Sequence, residues 1–181
     1  MGVHWEQLLD LSVDEDGAEE RLQEVRNWLR ANGWSKADPD MFFTYYRKHP
    51  ADAFGPRSLL TAGPGFNTSY AFVAGRDFYH AGDGAGGPEC RKCRTELPLM
   101  PIIPQIREWD EGGPEPLLTC PECAWTDLLG NWDIGGCMAV SSFALIIDTS
   151  SSGTSDPLID ALIEGLQTEL GGRWAYVHHH L

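Results

Sequence analysis

Five cysteines carry the clearest chemistry in this 181-residue sequence, and four of them form two Cys-x-x-Cys pairs. The first pair is Cys90 with Cys93, and the second is Cys120 with Cys123. Two intervening residues allow a tight turn that points both sulfur atoms at one cation, so two such turns supply four thiolates. Four thiolates suit the tetrahedral preference of zinc and leave no open position for a substrate. The spacing therefore predicts one structural Zn²⁺ bound by these four side chains.

The segment around the two pairs, residues 88–126, resembles zinc-ribbon and zinc-knuckle modules. The second pair, Cys-Pro-Glu-Cys, is also similar to half of a rubredoxin-like site, so iron stays open as the native metal. Arg94 and Ala124 stand where such families usually carry a glycine after the second cysteine, which disfavours an electron-transfer role with iron. A thiol redox function is a further alternative, but two pairs together favour a metal.

Basic residues are concentrated beside the first cysteine pair, at Arg91, Lys92 and Arg94. Four thiolates around a divalent ion leave net negative charge, and we expect these three side chains to compensate it. The alternative is a contact patch for nucleic acid, which the acidity of the rest of the chain disfavours.

Three other features could carry chemistry. Cys137 is predicted to be a small buried thiol rather than a nucleophile, because no histidine lies near it in sequence. His178 and His180 would share one face of a strand and His179 the other, which predicts an edge strand with exposed imidazoles rather than a second metal site. The serine-rich run 150–155 is predicted to be a loop, because no phosphate-binding lysine motif accompanies it.

Two helices are predicted from apolar periodicity and end signals. Leu22, Val25, Trp28 and Leu29 recur at helical spacing and indicate a helix from Ala18 to Ala31 that closes at Gly33. The second helix begins at Asp156–Pro157 and ends at Gly171–Gly172. Strands are predicted at Met41–Tyr46, Asn67–Tyr79, Ala139–Asp148 and Arg173–Leu181, and the chain start, with His4–Leu9, is predicted to be a short helix or a packed arm.

These elements predict the α+β class, with a mixed sheet, two packed helices and an inserted zinc-ribbon-like module. Residues 1–181 would form a single domain in which 88–126 is an embedded four-cysteine module and 139–181 is a strand–helix–strand unit. If the two strands of that unit pair in parallel, their crossover should be right-handed.

Charge and composition restrict the partners. The net charge is −14, from 27 acidic against 13 basic residues, so the protein should attract a basic protein and repel DNA or RNA. The longest apolar run is too short to cross a bilayer, and no secretory signal is visible at the start, which predicts a cytoplasmic protein without membrane contact.

The sequence contains no GxSxG, HExxH or paired-carboxylate signature. We therefore expect a non-enzymatic, acidic protein-binding domain, similar in general character to immunity or antitoxin-like proteins that neutralise basic toxins. An enzyme with a cleft unrelated to the zinc is the first alternative, with His49, Asp52, His80 and Asp83 as candidate residues. A nucleic-acid-binding zinc ribbon is the second alternative.

Overall fold

The structure, a computed structural model, describes residues 4–38, 49–62, 69–148 and 156–180. The predicted strand Met41–Tyr46 and the serine-rich run 150–155 lie outside these ranges. The strands are β1 (His4–Asp10), β2 (Ser35–Lys36), β3 (Ala51–Phe54), β4 (Ser69–His80), β5 (Leu117–Thr119), β6 (Thr126–Leu128), β7 (Met138–Asp148) and β8 (Trp174–His180). The helices are α1 (Ala18–Ala31), α2 (Pro56–Ala62), α3 (Ile103–Asp110) and α4 (Asp156–Leu170).

Six strands form one antiparallel sheet in the order β2-β3-β4-β7-β1-β8. The predicted mixed sheet is wrong for the described strands. β7 and β8 do run in the same direction, but β1 lies between them and pairs antiparallel with both. The strand–helix–strand unit therefore encloses a strand from the start of the chain, and β7 and β8 do not pair with each other.

The prediction of a helix or packed arm at the chain start is wrong, because β1 is an interior strand of the sheet. Its polar residues hide the strand pattern, since Glu6, Gln7 and Asp10 are all buried. Their polar groups find partners inside the fold: Gln7 Nε2 donates to His80 O at 3.1 Å, and Arg21 lies 2.7 Å from Asp10. Buried polar groups are tolerated when they are hydrogen-bonded in this way.

The sheet curls so that the end of β8 meets the chain just after β4. His180 N donates to Ala81 O at 2.9 Å, and Asp83 N donates to His180 O at 3.0 Å. Gly82 lies between them with a φ of +87°, and an added Cβ would come within 2.0 Å of His180 O. Glycine is required at this close approach of two backbones.

α1 and α4 pack side by side on one face of the sheet, with the ranges predicted from the sequence. Trp28 of α1 packs closely on Gly165 of α4, because a Cβ added at position 165 would lie 2.8 Å from the indole ring. The Trp28 Nε1 group also donates a hydrogen bond to Glu169 at 2.9 Å. The buried residues of this layer include Leu8, Leu22, Val25, Trp28, Leu29, Tyr70, Phe72, Phe143, Leu145, Ile147, Leu158, Leu162 and Leu166.

The segment that carries the cysteine pairs covers the opposite face of the sheet. A second group of buried residues joins this segment to the strands: Ile102, Ile106, Trp109, Leu118, Cys90, Cys120 and Trp132 on one side, and Trp5, Leu9, Ala71, Val73, Val140, Ala144, Ile146 and Val177 on the other. β7 is consequently buried on both faces, which agrees with its nearly continuous apolar sequence. Within the described ranges, no helix is both long and apolar enough to span a bilayer.

Candidate metal centre

The four cysteines predicted to bind metal lie together. Cys90 Sγ is 3.6 Å from Cys123 Sγ, Cys93 Sγ is 3.4 Å from Cys120 Sγ, and all four sulfurs lie within 4.8 Å of one another. Sulfurs around one tetrahedral ion with bonds of about 2.3 Å would be about 3.8 Å apart, whereas a disulfide needs about 2.05 Å. The four thiols are free, and their spacing suits a single metal ion. No other cluster of this kind occurs among residues 4–38, 49–62, 69–148 and 156–180.

The two Cys-x-x-Cys turns have the same backbone hydrogen bonds. Arg94 N donates to Cys90 O at 2.8 Å, and Ala124 N donates to Cys120 O at 3.0 Å. The amide of each leading cysteine then donates to the carbonyl five residues later, at 2.9 Å in the first turn and 2.8 Å in the second. Two equivalent turns therefore face each other across the cysteine cluster.

The residue after each pair has a left-handed backbone. Arg94 has a φ of 64° and Ala124 a φ of 57°, and in the described part of the chain these are the only residues other than glycine with a positive φ. They occupy the two positions where related turns usually carry glycine. The absence of glycine therefore does not change the turn. A residue with a side chain at each of these positions instead adds backbone strain of about 1 kcal/mol.

Each turn contributes one buried and one exposed thiol. Cys90 and Cys120 are buried, whereas Cys93 and Cys123 are exposed. Burial of the leading cysteines joins the site to the core, because both sulfurs belong to the group of residues packed on the sheet.

Hydrogen bonds and neighbouring thiols determine the charge on the exposed sulfurs. The Thr95 hydroxyl, 3.2 Å from Cys93 Sγ, and the Thr95 amide lower the pKa of Cys93 to about 6. The Trp125 amide acts in the same direction on Cys123, but lost hydration and the other thiols outweigh it and raise the pKa of Cys123 to about 12. Four thiols this close cannot all ionise in the absence of a cation, so a bound divalent ion would be strongly stabilising.

The basic residues beside the first pair have partners other than sulfur. Arg94 pairs with Glu89 and with Asp133, Arg91 donates to the Trp132 carbonyl at 3.2 Å, and the Lys92 amine lies 5.8 Å from the centre of the Trp125 ring. The hydrogen bonds to sulfur come instead from Thr95 and from backbone amides, which the sequence analysis did not identify.

Arg76 of β4 fastens the segment between the two turns to the sheet. Its guanidinium carbon lies 4.0 Å from the centre of the Trp109 ring, and its Nη2 donates to the carbonyls of Trp109 and Gly113 at the end of α3. A cation is favoured at the carbonyl end of a helix. The α3 segment and the two cysteine turns therefore contact the sheet as one layer.

Cys137 and the three histidines are placed largely as predicted. Cys137 is buried, and burial raises the pKa of its thiol to about 11, as expected for a structural thiol. His178 and His180 share one face of β8 and His179 takes the other. The predicted exposure is wrong for His179, because this ring is buried in a stack against Trp5 with a centroid distance of 3.9 Å.

The residues suggested for an unrelated catalytic cleft are not brought together. Asp52 is buried in β3, opposite Tyr70 near the start of β4, and is bound by Arg26, Arg30 and Ser35. His80 is the last residue of β4, and Asp83 follows it.

Fold and site together define an α+β protein whose curled antiparallel sheet is covered by helices on one face and by a four-cysteine candidate metal centre on the other. No protein-family model, curated protein or solved structure matches the chain.

Proposed function

We propose that this protein is a non-enzymatic, acidic protein-binding domain of the cytoplasm, held together by one structural Zn²⁺. A basic protein is the proposed partner, as for an immunity or antitoxin-like binder. The observation that carries the binding function is a set of exposed carboxylates on the two helices of the helical layer.

The metal part of the proposal is supported by the closed set of four thiols. Four sulfur ligands fill a tetrahedral shell, so the ion would have no free position for a substrate and would serve the fold. The matching turns support a ribbon-type module, and a reducing compartment would keep the thiols available for zinc. Metal analysis of the purified protein by native mass spectrometry should give at least one zinc per chain, and iron or no metal would contradict this assignment.

The acidic helix face consists of exposed carboxylates on the solvent side of two adjacent helices. Its members are Glu19 and Glu20 on α1, and Asp156, Asp160 and Glu164 on α4. Three of the four acidic residues of α4, Asp156, Asp160 and Glu164, follow one another at intervals of one helical turn, and α4 contains no lysine or arginine. Like charges at this spacing repel one another, so the arrangement reduces stability unless a positive partner covers it.

The nearby arginines are largely occupied by buried carboxylates. Arg26 and Arg30 approach the buried Asp52 at 2.8 and 2.6 Å, and Arg21 approaches both the buried Asp10 at 2.7 Å and the exposed Glu24 at 2.5 Å. These cations therefore neutralise interior carboxylates and leave the acidic helix face negative.

A depression at the start of α1 adds a concave element to this surface. It has a volume of about 450 Å³ and is lined by Asp14, Glu20 and Glu24 together with Ser12, Val13, Gly17 and Arg21. A lysine or arginine side chain of a partner would fit its size and charge.

The partner should be captured at low salt by the wild-type protein and lost when the acidic helix face is reversed with Asp160→Lys and Glu164→Lys. Asp110→Lys with Glu111→Lys is the matched control, because it changes the net charge equally near the end of α3, on the other side of the sheet. Association with the captured protein should slow steeply as salt rises. Rates that do not change with salt, or equal loss of binding in the control, would contradict the proposal.

The two alternatives predict other outcomes. A nucleic-acid-binding ribbon would shift DNA or RNA in gels at low salt through Arg91, Lys92 and Arg94. An enzyme would lose turnover, rather than partner capture, on substitution of cleft residues.

A further inference from the structure

Three histidines from opposite ends of the sequence meet on the helical face of the sheet. His178 and His180 occupy alternate positions of the edge strand β8, and His4 of β1 lies directly opposite His180. Leu8 of β1 and Trp174 of β8 lie an even number of residues from these histidines, so their side chains are on the same face of the sheet, and both belong to the core under α1 and α4. We propose that His4, His178 and His180 form a second metal site, which binds a divalent transition metal such as Zn²⁺ or Ni²⁺.

The three rings are close and open to solvent. The His4 and His180 rings are stacked with a centroid distance of 4.2 Å, and the His4 and His178 rings are 5.7 Å apart. His180 is exposed and the His178 side chain is 31% exposed. Within the described ranges, neither His4 nor His180 makes a hydrogen bond through its ring, so their nitrogen lone pairs are available to a metal.

The ring of His178 is held by a buried carboxylate. Its Nδ1 lies 2.8 Å from Glu6 Oε2, and the Tyr176 hydroxyl donates to the same oxygen at 2.7 Å. Glu6 is fully buried. A metal-binding histidine typically donates its second N–H to a carboxylate, which fixes the tautomer and makes the outer nitrogen a better ligand. Glu6 and Tyr176 would therefore orient Nε2 of His178 towards solvent and the other two rings.

This ligand set differs in kind from the four cysteines. Imidazole nitrogens suit Zn²⁺, Ni²⁺ and Cu²⁺, and three histidines leave a coordination position for water or another ligand. The ring nitrogens of the three histidines do not all lie within 4.8 Å of one another, unlike the four sulfurs of the cysteine centre. The rings must therefore turn about their side-chain torsions to converge on one ion. His179 is excluded from the site, because it points to the opposite face and its Nδ1 contacts the His80 carbonyl at 2.8 Å.

Calorimetric titration with Ni²⁺ of the protein loaded with a single equivalent of Zn²⁺ tests the site, because the four cysteines bind that zinc and the histidines stay free. The wild type should bind one further equivalent, and His180→Gln and His4→Gln should each weaken this binding at least tenfold. Glu6→Gln should weaken it by roughly 10- to 100-fold without removing a ligand. His49→Gln is the matched control, since this residue precedes β3 at the other end of the sheet, and it should bind Ni²⁺ as the wild type does.

The proposal is overturned if the wild type binds no Ni²⁺ beyond the zinc, or if His180→Gln retains wild-type affinity. A loss of affinity in His49→Gln as large as that in His180→Gln would also overturn it. His180 is exposed, so its substitution decides the matter even if the His4 or Glu6 variant fails to fold. Retained zinc, measured in the same samples, separates failure of this site from failure of the cysteine centre.

Discussion

The most informative single residues are the two that replace glycine after the cysteine pairs. Arg94 and Ala124 keep the left-handed backbone that the turn requires, although a side chain makes it unfavourable. The strain persists because hydrogen bonds and the packed core fix both turns, and metal coordination would fix them further. The sequence showed that glycine is absent after each pair, but not that both turns keep the left-handed backbone without it.

Ala124→Gly should stabilise the zinc-loaded protein by roughly 0.5 kcal/mol, because the relief of about 1 kcal/mol of left-handed strain exceeds the roughly 0.5 kcal/mol of entropy that glycine adds to the unfolded chain. Urea unfolding measures the difference. Glu122→Gly, inside the same turn but without a positive φ, is the control and should not stabilise the protein. A destabilised Ala124→Gly variant would show that this backbone is not strained.

The five cysteines should fall into two classes when each is replaced by serine. Replacement of Cys90, Cys93, Cys120 or Cys123 should abolish stoichiometric zinc and destabilise the fold by several kcal/mol, because zinc binding supplies folding energy. Cys137→Ser should keep the zinc and cost about 1–2 kcal/mol for a buried hydroxyl. Zinc content and urea midpoints measured on all five variants distinguish the classes. Zinc loss in Cys137→Ser would contradict the assignment.

At the scale of elements, the sequence predicted the helices and strands that have a clear local pattern. It did not predict the strand and the histidine cluster that form through contacts between distant parts of the chain. α1, α4 and β7 follow from apolar periodicity and end signals, and their observed ranges agree closely with the predicted ones. β1 was missed because its buried polar residues find partners far away in sequence, such as His80 for Gln7 and Tyr176 for Glu6. The histidine cluster was missed for the same reason, since only the pairing of β1 with β8 brings His4 to His180.

Asp52 fastens α1 to the edge of the sheet. Its carboxylate accepts hydrogen bonds from Arg26 and Arg30 of α1 and from Ser35 of β2. Burial opposes its ionisation, but the hydrogen bonds from Arg30 and Arg26 prevail and hold the pKa of Asp52 below its ordinary value. A lowered carboxylate pKa contributes stability above the unfolded-state pKa, near 3.9, and this stability disappears as the pH falls through the folded-state value.

Asp52→Asn should therefore destabilise the protein by about 3 kcal/mol at neutral pH, since two partly exposed arginines lose their charge partner. The difference from wild type should shrink as the pH falls below about 4, where the wild-type carboxylate also becomes protonated. Unfolding curves of both proteins across this range provide the measurement. A constant difference at every pH would mean that the ion cluster contributes through packing alone.

At the scale of the whole molecule, the sheet separates two layers that are stabilised by different means. The helical layer packs large apolar side chains, whereas the opposite layer contains short elements, α3, β5 and β6, around the cysteine centre. Short elements bury little apolar surface of their own, and a metal ion bound by the four cysteines would compensate for this. The sequence predicted the cysteine centre but not its position against the sheet, because that position depends on tertiary packing between residues such as Trp109 and Arg76.

Removal of the metal should consequently loosen one layer before the other. A strong chelator under reducing conditions should expose the tryptophans near the centre, Trp109, Trp125 and Trp132, and speed hydrogen exchange in residues 88–134 first. α1 and α4 should keep slower exchange, because their packing on the sheet does not involve the cysteines. Hydrogen exchange with mass spectrometry resolves the two layers. Simultaneous loss of protection in both would show instead that the layers unfold as one cooperative unit.

The net charge of −14 should make the stability of the whole protein depend on salt, because interior carboxylates occupy several arginines and leave surface acids to repel one another. Raising the salt from about 0.01 M to about 0.15 M shortens the screening length from about 30 Å to about 8 Å. We expect the free energy of unfolding to rise by about 1 kcal/mol, which corresponds to about 3 °C in the unfolding midpoint for a chain of this size.

The variant Asp160→Lys with Glu164→Lys should lose most of this salt dependence of stability, because the repulsion is concentrated on the acidic helix face. The variant Asp110→Lys with Glu111→Lys should retain more of it. Thermal unfolding with saturating zinc provides the comparison. Equal salt dependence in both double variants would place the repulsion evenly over the surface and remove the electrostatic reason for a basic partner at the helices.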